Sequence, residues 1–264
     1  MIVEYHRPTR LAEALALLAR SEPHTIPIGG GTAVDRSTAD PFAVVDLQAL
    51  GLNQVNEHGN FMDLGAALTL QALADAIQTR SGGRLADLGK VVRHECSYHI
   101  RQVGTLAGTL MACDGRSPFA TAMLALDAML TLEPGKELTG LGDLLPLRAE
   151  RMRQRLITRI TIPANTHLIY DFVARSPADR PIVCVAAATW PSGRTRVAVG
   201  GFGSSPVLAF DGTESNGADI AAGSACSQAG DQWASAEYRH EVAVILTRRS
   251  IESLSRLAKE AFVG

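Results

Sequence analysis

The chain lacks the usual signs of a metal centre or a membrane segment. Its four cysteines, Cys96, Cys113, Cys184 and Cys226, form no CxxC pair. Zinc ribbons and cysteine-ligated iron–sulfur clusters therefore have no ligand set here, and we expect small buried thiols in a reducing compartment. Charged residues, proline or glycine interrupt every apolar run within about ten residues, whereas a membrane helix needs a span of roughly 20. No membrane span is predicted.

Positive charge is not in excess either. The chain has 25 Lys and Arg against 27 Asp and Glu, a formal net charge of −2. No basic surface is therefore predicted for nucleic acid. The first residues lack the apolar centre of a signal peptide, so we expect a cytoplasmic protein. With 264 residues, 46% hydrophobic and 20% charged, the composition is that of a globular protein with one to three domains.

Hydrophobic periodicity predicts an α+β chain whose first two parts are small lobes. Residues 1–57 form the first lobe, with a helix at 10–20 and strands at 25–28 and 44–47. Residues 58–165 form the second lobe, in which Thr69 and Ser117 are predicted helix caps. Its predicted helices begin at 70, 84 and 118, the last running to about 129; its strands cover 63–67, 129–133, 144–147 and 156–162; and residues 100–109 are predicted to be loop-rich.

Residues 166–264 are predicted to form a C-terminal domain. Three antiparallel strands are expected at 167–174, 182–190 and 195–202. Residues 211–231 are rich in small and polar side chains, which predicts an irregular connection. A helix from 235 to 262 completes the chain, with Arg239 predicted on its polar side.

Two glycine-rich turns, residues 29–33 and 104–109, carry the strongest chemical signal. Glycine adopts positive φ and lets a ligand approach backbone N–H groups, and successive N–H groups bind anions. Threonine hydroxyls beside them add donors. We expect the two turns, donated by neighbouring lobes, to converge and to aim their amides at one dinucleotide diphosphate.

Other phosphate motifs fit this sequence poorly. After Gly31 the chain reads Thr-Ala-Val and lacks the lysine of a Walker A loop. Residues 29–34 also lack the third glycine of the GxGxxG dinucleotide motif. Taken alone, each glycine cluster is more often a tight turn than a binding loop. No Ser/His/Asp arrangement suggests a catalytic nucleophile.

Several segments resemble one protein family. PIGGGTAV at 27–34 resembles the P-x-A-G-G-[TH]-x-L loop in the FAD-binding subunits of xanthine dehydrogenase and aerobic carbon monoxide dehydrogenase. HIRQVGTLAGT at 99–109 is similar to the Q-I-R-N-x-G-T-[IL]-G-G-N segment of that family. LITRITIP at 156–163 and the E-Y-R…R-R pattern at 237–249 are similar to its later motifs.

The resemblance implies a fold and a cofactor. The fold is a two-lobed FAD-binding domain of the vanillyl-alcohol-oxidase-like (PCMH) type, followed by a C-terminal domain of antiparallel sheet and helix. The implied protein is an FAD-dependent oxidoreductase subunit, without catalytic acid, base or metal ligands. The cofactor-binding residues that it implies are Ile28, Gly29, Gly30, Gly31, Thr32, Ala33, Gly104, Thr105, Leu106, Ala107, Gly108, Thr109, Asp114, Leu156 and Ile157.

The resemblance also implies partners. FAD would receive electrons from a 2Fe–2S small subunit and pass them to NAD⁺, a quinone or oxygen. A molybdopterin-containing large subunit would oxidise the organic substrate. The task of this chain would be to orient the flavin and tune its properties.

Five positions depart from the family pattern: Ala107, Thr109, Pro118, Phe172 and Arg180. Phe172 stands where relatives have a lysine near the flavin pyrimidine edge. Without that cation, negative charge on the reduced flavin is harder to form unless Arg175 or Arg180 replaces it. The first four of these departures motivate a second hypothesis, a flavin-poor or flavin-free structural or assembly subunit of the same complex. A stand-alone flavin reductase of this fold is a third.

Two further clusters each leave two interpretations open. His94, Glu95, Cys96 and His99 have metal-ligand chemistry but are typical of a polar helix end. The arginines at 148, 151, 153, 155 and 159 indicate either a solvated face or a docking surface for an acidic partner subunit.

Overall fold

The computed structural model describes residues 1–34, 40–80 and 83–263. Its first lobe contains β1 (Ile2–His6), α1 (Leu11–Ala19), β2 (Thr25–Ile28) and β3 (Phe42–Asp46). The strands form a parallel sheet in the order β1-β3-β2. Residues 42–45 of the central strand β3 are apolar without alternation because both faces of the strand are buried. The glycine turn follows β2 directly. It lies at the carboxyl end of the parallel strands, where β3 also ends.

The second lobe is a helical layer on an antiparallel sheet. Its elements in chain order are β4 (Val55–His58), β5 (Phe61–Gly65), α2 (Leu70–Arg80), α3 (Ala86–Glu95), α4 (Tyr98–Val103), α5 (Leu106–Ala112), α6 (Pro118–Ala125), β6 (Met129–Glu133), β7 (Glu137–Gly140), α7 (Leu141–Leu144), α8 (Arg148–Arg151) and β8 (Leu156–Pro163). The sheet order is β4-β5-β8-β6-β7.

Both predicted helix caps of this lobe are confirmed. The hydroxyl of Thr69 accepts from the amide of Ala72 at 3.2 Å, just before α2. The hydroxyl of Ser117 accepts from the amide of Ala120 at 3.1 Å, and Pro118 opens α6. Each cap satisfies a backbone donor that the first helical turn leaves free.

Three predictions for the second lobe are wrong. Residues 100–109 are the end of α4 and the start of α5, not a loop, because Leu106 and Leu110 bury one face of α5. Residues 144–147 are helical instead of a strand, since Leu141, Leu144 and Leu145 are buried at helical spacing. Helix α6 ends at Ala125, four residues earlier than expected.

The C-terminal domain has one more strand and one more helix than predicted. It contains β9 (His167–Val173), β10 (Val183–Thr189), β11 (Thr195–Gly200), β12 (Val207–Gly212), α9 (Ala218–Ala225) and α10 (Ala236–Val263). The antiparallel sheet has four strands in the order β12-β11-β10-β9. The predicted irregular connection at 211–231 is therefore wrong. Its small residues serve helix packing: a Cβ on Gly223 would come within 2.8 Å of His240 and Val244 on α10.

Arg239 is buried, not on the polar side of α10 as predicted. Its side chain is 0% exposed and donates to the carbonyl oxygens of Ile182 and Ala229. It also binds the Asp231 carboxylate at 2.9 and 3.0 Å. A buried guanidinium is tolerated here because its donors have acceptors.

The hydrophobic core joins the second lobe to the C-terminal sheet. Leu168, Tyr170, Cys184 and Ala186 pack into the same cluster as the side chains of α2, α3, α5 and α6. Cys113, Cys184 and Cys226 are buried and Cys96 is half-buried, all as free thiols. Of the helices in the described ranges, none has both the length and the hydropathy needed to cross a bilayer.

Candidate functional site

The two glycine segments are in direct contact, as the sequence predicted. A Cβ on Gly30 would lie 1.7 Å from the carbonyl oxygen of Val103, and one on Gly29 would lie 2.5 Å from Oγ1 of Thr105. Distances this short are incompatible with any side chain. The first turn is therefore held against the junction of α4 and α5 by backbone contact that only glycine permits.

The first turn has unused backbone donors. Gly31 has φ +68°, and nothing lies within 4 Å of its missing side chain, so the turn opens toward solvent there. The Gly29 carbonyl accepts from Nε2 of Gln48 at 3.1 Å. The amides of residues 29–33 donate to no acceptor in the described part of the chain. Such a row of free N–H groups suits an anion.

Most amides of the second segment are already occupied, so the expectation that both turns present rows of donors is wrong for Gly104 and residues 106–109; the amide of Thr105 donates to no acceptor in the described part of the chain. Thr105 caps α5, and residues 106–109 form its first turn. The amides of Gly104, Leu106, Ala107, Gly108 and Thr109 donate to Ile100 O, Leu68 O, Ala66 O, Thr105 Oγ1 and Thr105 O. The second segment therefore supplies mainly a wall, with the Thr105 amide as a donor, and the first supplies the row of donors.

Two adjoining cavities lie where the segments meet. They share Pro27, Gly29, Thr105, Gly108 and Met111. The larger, about 290 Å³, extends along residues 26–34 to Ala112. The smaller, about 110 Å³, is bounded by Leu47, Ala66, Ala67, Ala107, Met152, Arg155, Leu156 and Ile157. Their walls are largely apolar, as in sites for flat organic ligands.

Most of the residues predicted to bind a cofactor line these cavities. They are Ile28, Gly29, Gly30, Gly31, Thr32, Ala33, Thr105, Ala107, Gly108, Leu156 and Ile157. Leu106 instead lies in the core, fully buried. Gly104 packs on the Ile100 carbonyl, and the Thr109 hydroxyl donates to the Thr105 carbonyl at 2.8 Å. These three residues lie behind the wall and support the residues that line the cavities.

Asp114 lies beyond the cavities, in an ion pair that the sequence did not suggest. Its carboxylate receives two hydrogen bonds from Arg180, at 2.5 and 2.8 Å, and one from the amide of Arg116. Arg180 is one of the departures from the family pattern. Because Asp114 neutralises it, Arg180 is not a free cation.

Phe172, another departure, belongs to a cluster of rings. Its ring centroid lies 3.9 Å from that of His94 and 5.6 Å from that of Tyr170. Nδ1 of His94 accepts from the Tyr170 hydroxyl, and Nε2 donates to the Asp179 carbonyl, each at 2.8 Å. Burial lowers the pKa of His94. The imidazole is therefore a neutral bridge between α3 and the C-terminal domain.

Glu95 fits the interpretation of this segment as a polar helix end. Its Oε2 accepts from the Ser117 hydroxyl and the Phe119 amide, both at 2.8 Å, at the start of α6. Burial raises the pKa of Glu95. Within the described ranges, no three His, Cys, Asp or Glu side chains lie close enough to hold a metal ion.

Arg175, the other possible replacement cation, stacks on an indole ring. The guanidinium carbons of Arg175 and Arg116 each lie 4.7 Å from the ring centroid of Trp233. Trp233 lies on the loop that Asp231 and the buried Arg239 hold in place. No local sequence pattern predicts this contact between three separate segments.

Sequence reasoning missed several lining residues. Met111 lies three positions after Gly108 and therefore on the same face of α5. This helical spacing would predict Met111 as a lining residue if residues 106–112 were assigned to a helix. Arg155 belongs to the arginine run at 148–159, which the sequence predicts to be either a solvated face or a docking surface. A solvated face is wrong for half-buried Arg148, which donates to the carbonyl oxygens of Cys113 and Ser204.

Comparisons with known proteins identify the family. Residues 1–165 match the family described as the FAD binding domain in molybdopterin dehydrogenase. The nicotine 6-hydroxylase medium subunit of Paenarthrobacter nicotinovorans is 27% identical, over 94% of this chain and 96% of its own. The uncharacterized protein YgfM of Escherichia coli K12 is 28% identical, over 82% and 81%.

Solved structures show the same fold. A chain of reconstituted CO dehydrogenase from Oligotropha carboxidovorans superposes with a TM-score of 0.81 at 23% identity, covering 95% of this chain and 96% of its own. A chain of quinoline 2-oxidoreductase from Pseudomonas putida 86 gives 0.75 at 21% identity, with 97% of each chain covered. The α+β fold, a two-lobed FAD-binding domain followed by a sheet-and-helix domain, is confirmed. With the family match spanning more than half of its length, the chain belongs to the FAD-binding family of molybdopterin dehydrogenases, and its cofactor is FAD.

Proposed function

We propose that FAD lies along the two adjoining cavities and that the chain serves as the electron-transferring flavoprotein subunit of a molybdenum hydroxylase. One observation carries the proposal. The amides of residues 29–33 donate to no acceptor within the described residues, and the turn that carries them is held at Gly29 and Gly30 by contact with Thr105 and Val103. Fixed amide donors bind a diphosphate without reorganising, which makes this turn the diphosphate site.

The remaining predicted contacts follow the direction of α5. Thr105, Gly108 and Met111 recur along one face of this helix and line both cavities. Asp114 follows α5 by two residues, within reach of a cofactor as long as FAD. The apolar walls at Ala66, Leu156 and Ile157 exclude water from the dinucleotide. When bound, FAD supplies the electron-carrying chemistry, and this chain supplies orientation and shielding.

The proposed partners follow from relatives. The curated relative from Paenarthrobacter is named a medium subunit. We therefore expect this chain to assemble with a molybdopterin-containing large subunit and a 2Fe–2S small subunit. The electron acceptor would be NAD⁺, a quinone or oxygen. We place the domain boundaries near residues 57 and 165.

The visible spectrum of the purified chain tests the proposal. Flavin absorption bands, with FAD released on denaturation, are the expected result. Stepwise addition of FAD to flavin-free protein should restore the bands at one equivalent per chain. A colourless protein that takes up no added FAD would overturn the proposal and favour the flavin-free structural subunit. Co-purification of molybdenum and iron–sulfur chains from the native host checks the assembly.

A further inference from the structure

The two cavities contain one charged residue among their described lining side chains, and it is Arg155. All other described lining residues are glycine, threonine or apolar. A dinucleotide brings an anionic diphosphate into this space. Neutral amides can bind an anion, but they supply only partial charges, whereas a guanidinium adds a full charge to each hydrogen bond. The position of Arg155 therefore bears on cofactor affinity.

Arg155 belongs to a triad that holds it in place. Its Nη2 lies 2.6 Å from Oε2 of Glu137 on β7. The other oxygen of Glu137 lies 2.5 Å from Nη2 of Arg151 on α8. Arg151 also donates from Nη1 to the Thr139 hydroxyl at 3.1 Å. Hydrogen bonds from these arginines lower the pKa of Glu137, so its carboxylate is ionised near neutral pH.

The triad has more positive than negative charge. Two guanidinium groups share one carboxylate, which leaves one positive charge in excess. The side chain of Arg155 is 22% exposed, so solvent screens this charge less than it would on an open surface. The excess charge is at the wall of the smaller cavity, which shares Gly29 and Thr105 with the larger one.

Resting on the proposed FAD site, we propose that Arg155 is the cationic binding residue of the cavity and that Glu137 and Arg151 position it. The amides of residues 29–33 and the guanidinium of Arg155 then act together on the anionic dinucleotide. The amides set the geometry, and Arg155 supplies the long-range attraction. Cofactor affinity should in consequence depend on salt through Arg155.

FAD titrations of flavin-free protein at several salt concentrations test this inference. Arg155→Met should weaken FAD binding about tenfold, equivalent to about 1.4 kcal/mol, and flatten its salt dependence. Arg155→Lys should retain most of the affinity because it keeps the charge. Glu137→Gln keeps an oxygen that can accept from Arg155 but removes the negative charge, so it should tighten FAD binding and steepen the salt dependence as the excess charge at the wall rises. A merely structural role for the triad would not produce that opposite change.

The matched control is Arg153→Met. Arg153 belongs to the same arginine run but is exposed and lines neither cavity. Its removal should leave both the FAD affinity and the salt dependence at wild-type values. Riboflavin, which lacks the diphosphate, provides a ligand control: its weaker binding should be the same in the wild type and in Arg155→Met.

Each outcome decides the inference. Equal affinity and equal salt dependence in the wild type and Arg155→Met would overturn it, while leaving the FAD site itself in place. Weaker binding with unchanged salt dependence would also overturn it, because that result indicates packing and not charge. A wild-type chain that binds no FAD would overturn the proposed function along with the inference.

Discussion

A methyl group added at Gly30 would overlap the carbonyl oxygen of Val103, 1.7 Å away. We predict that Gly30→Ala separates the first turn from the α4–α5 junction and weakens FAD binding at least about tenfold. The amides would remain, but they would no longer be fixed. Isothermal titration of flavin-free protein with FAD measures the loss.

Gly59→Ala is the control for backbone strain alone. Gly59 has φ +57° with open space around it and lies in the β4–β5 turn, away from both cavities. This substitution should cost about 1 kcal/mol of folding stability and leave the FAD affinity unchanged. Wild-type affinity in Gly30→Ala would contradict the tight contact.

His94 gives a pH dependence with a definite sign. Burial lowers its pKa below the ordinary value of 6.5, so the folded state favours neutral imidazole. The unfolded chain binds the proton more readily, and the stability from neutral His94 is lost as pH falls below about 6.5 through the folded-state pKa. Thermal unfolding of His94→Gln should show a smaller loss between pH 7 and pH 5 than the wild type. His99→Gln, at an exposed histidine, should behave like the wild type.

The structural role of a residue could be predicted from the sequence where its hydrogen-bond partner is only a few positions away. Thr69 and Ser117 each cap a helix through an amide three positions away, and the sequence predicted both. Asp114 and Arg239 could not be assigned in this way. Arg180 lies 66 positions from Asp114, and the Ile182 carbonyl lies 57 from Arg239. Nothing in the local pattern of either residue specifies such a partner.

Helix α10 depends on its buried arginine. We predict that Arg239→Met destabilises the protein by about 3 kcal/mol, because two buried carbonyl groups and the Asp231 carboxylate lose their donor. Chemical denaturation measures the loss. Arg256→Met, on the same helix but exposed, should change the stability by less than about 0.5 kcal/mol. A similar small effect at both positions would show that the buried network adds little.

Long periodic elements were predictable, and short ones with ambiguous composition were not. Helix α10 has a clear apolar stripe, and the sequence predicted it almost to the residue. Residues 144–147 form a brief apolar run that suits either a strand or a helix, and tertiary packing decided for a helix. Helix α9 has mainly small side chains that bury little apolar area, so its hydrophobic periodicity is a weak signal. Its packing against α10 stabilises the helix instead.

The core shared by the second lobe and the C-terminal sheet predicts how the chain unfolds. A fragment ending at residue 165 would lose Leu168, Tyr170 and Cys184 from the cluster that α3 and α6 help to form. We predict that fragment 1–165 aggregates or unfolds without a cooperative transition, whereas the full chain unfolds cooperatively. Calorimetry and FAD titration of both proteins provide the measurement. A fragment that melts cooperatively and binds FAD would show that the family-matched region is self-sufficient.

The first lobe differs in this respect, because its small core of Ala14, Leu18 and Val45 receives one buried side chain from elsewhere, Leu156. Whether a chimera of two related subunits folds should therefore depend on where along the chain the crossover lies. A crossover near residue 165 would build the hydrophobic core shared by the second lobe and the C-terminal sheet from two different parent sequences, whose side chains are not matched to each other. A crossover near residue 57 would require the incoming lobe to accommodate Leu156, the glycine contact and the backbone pairing of residues 52–57 with residues 62–67. Because this crossover divides no large hydrophobic cluster, it is the better position for chimeras with altered cofactor affinity.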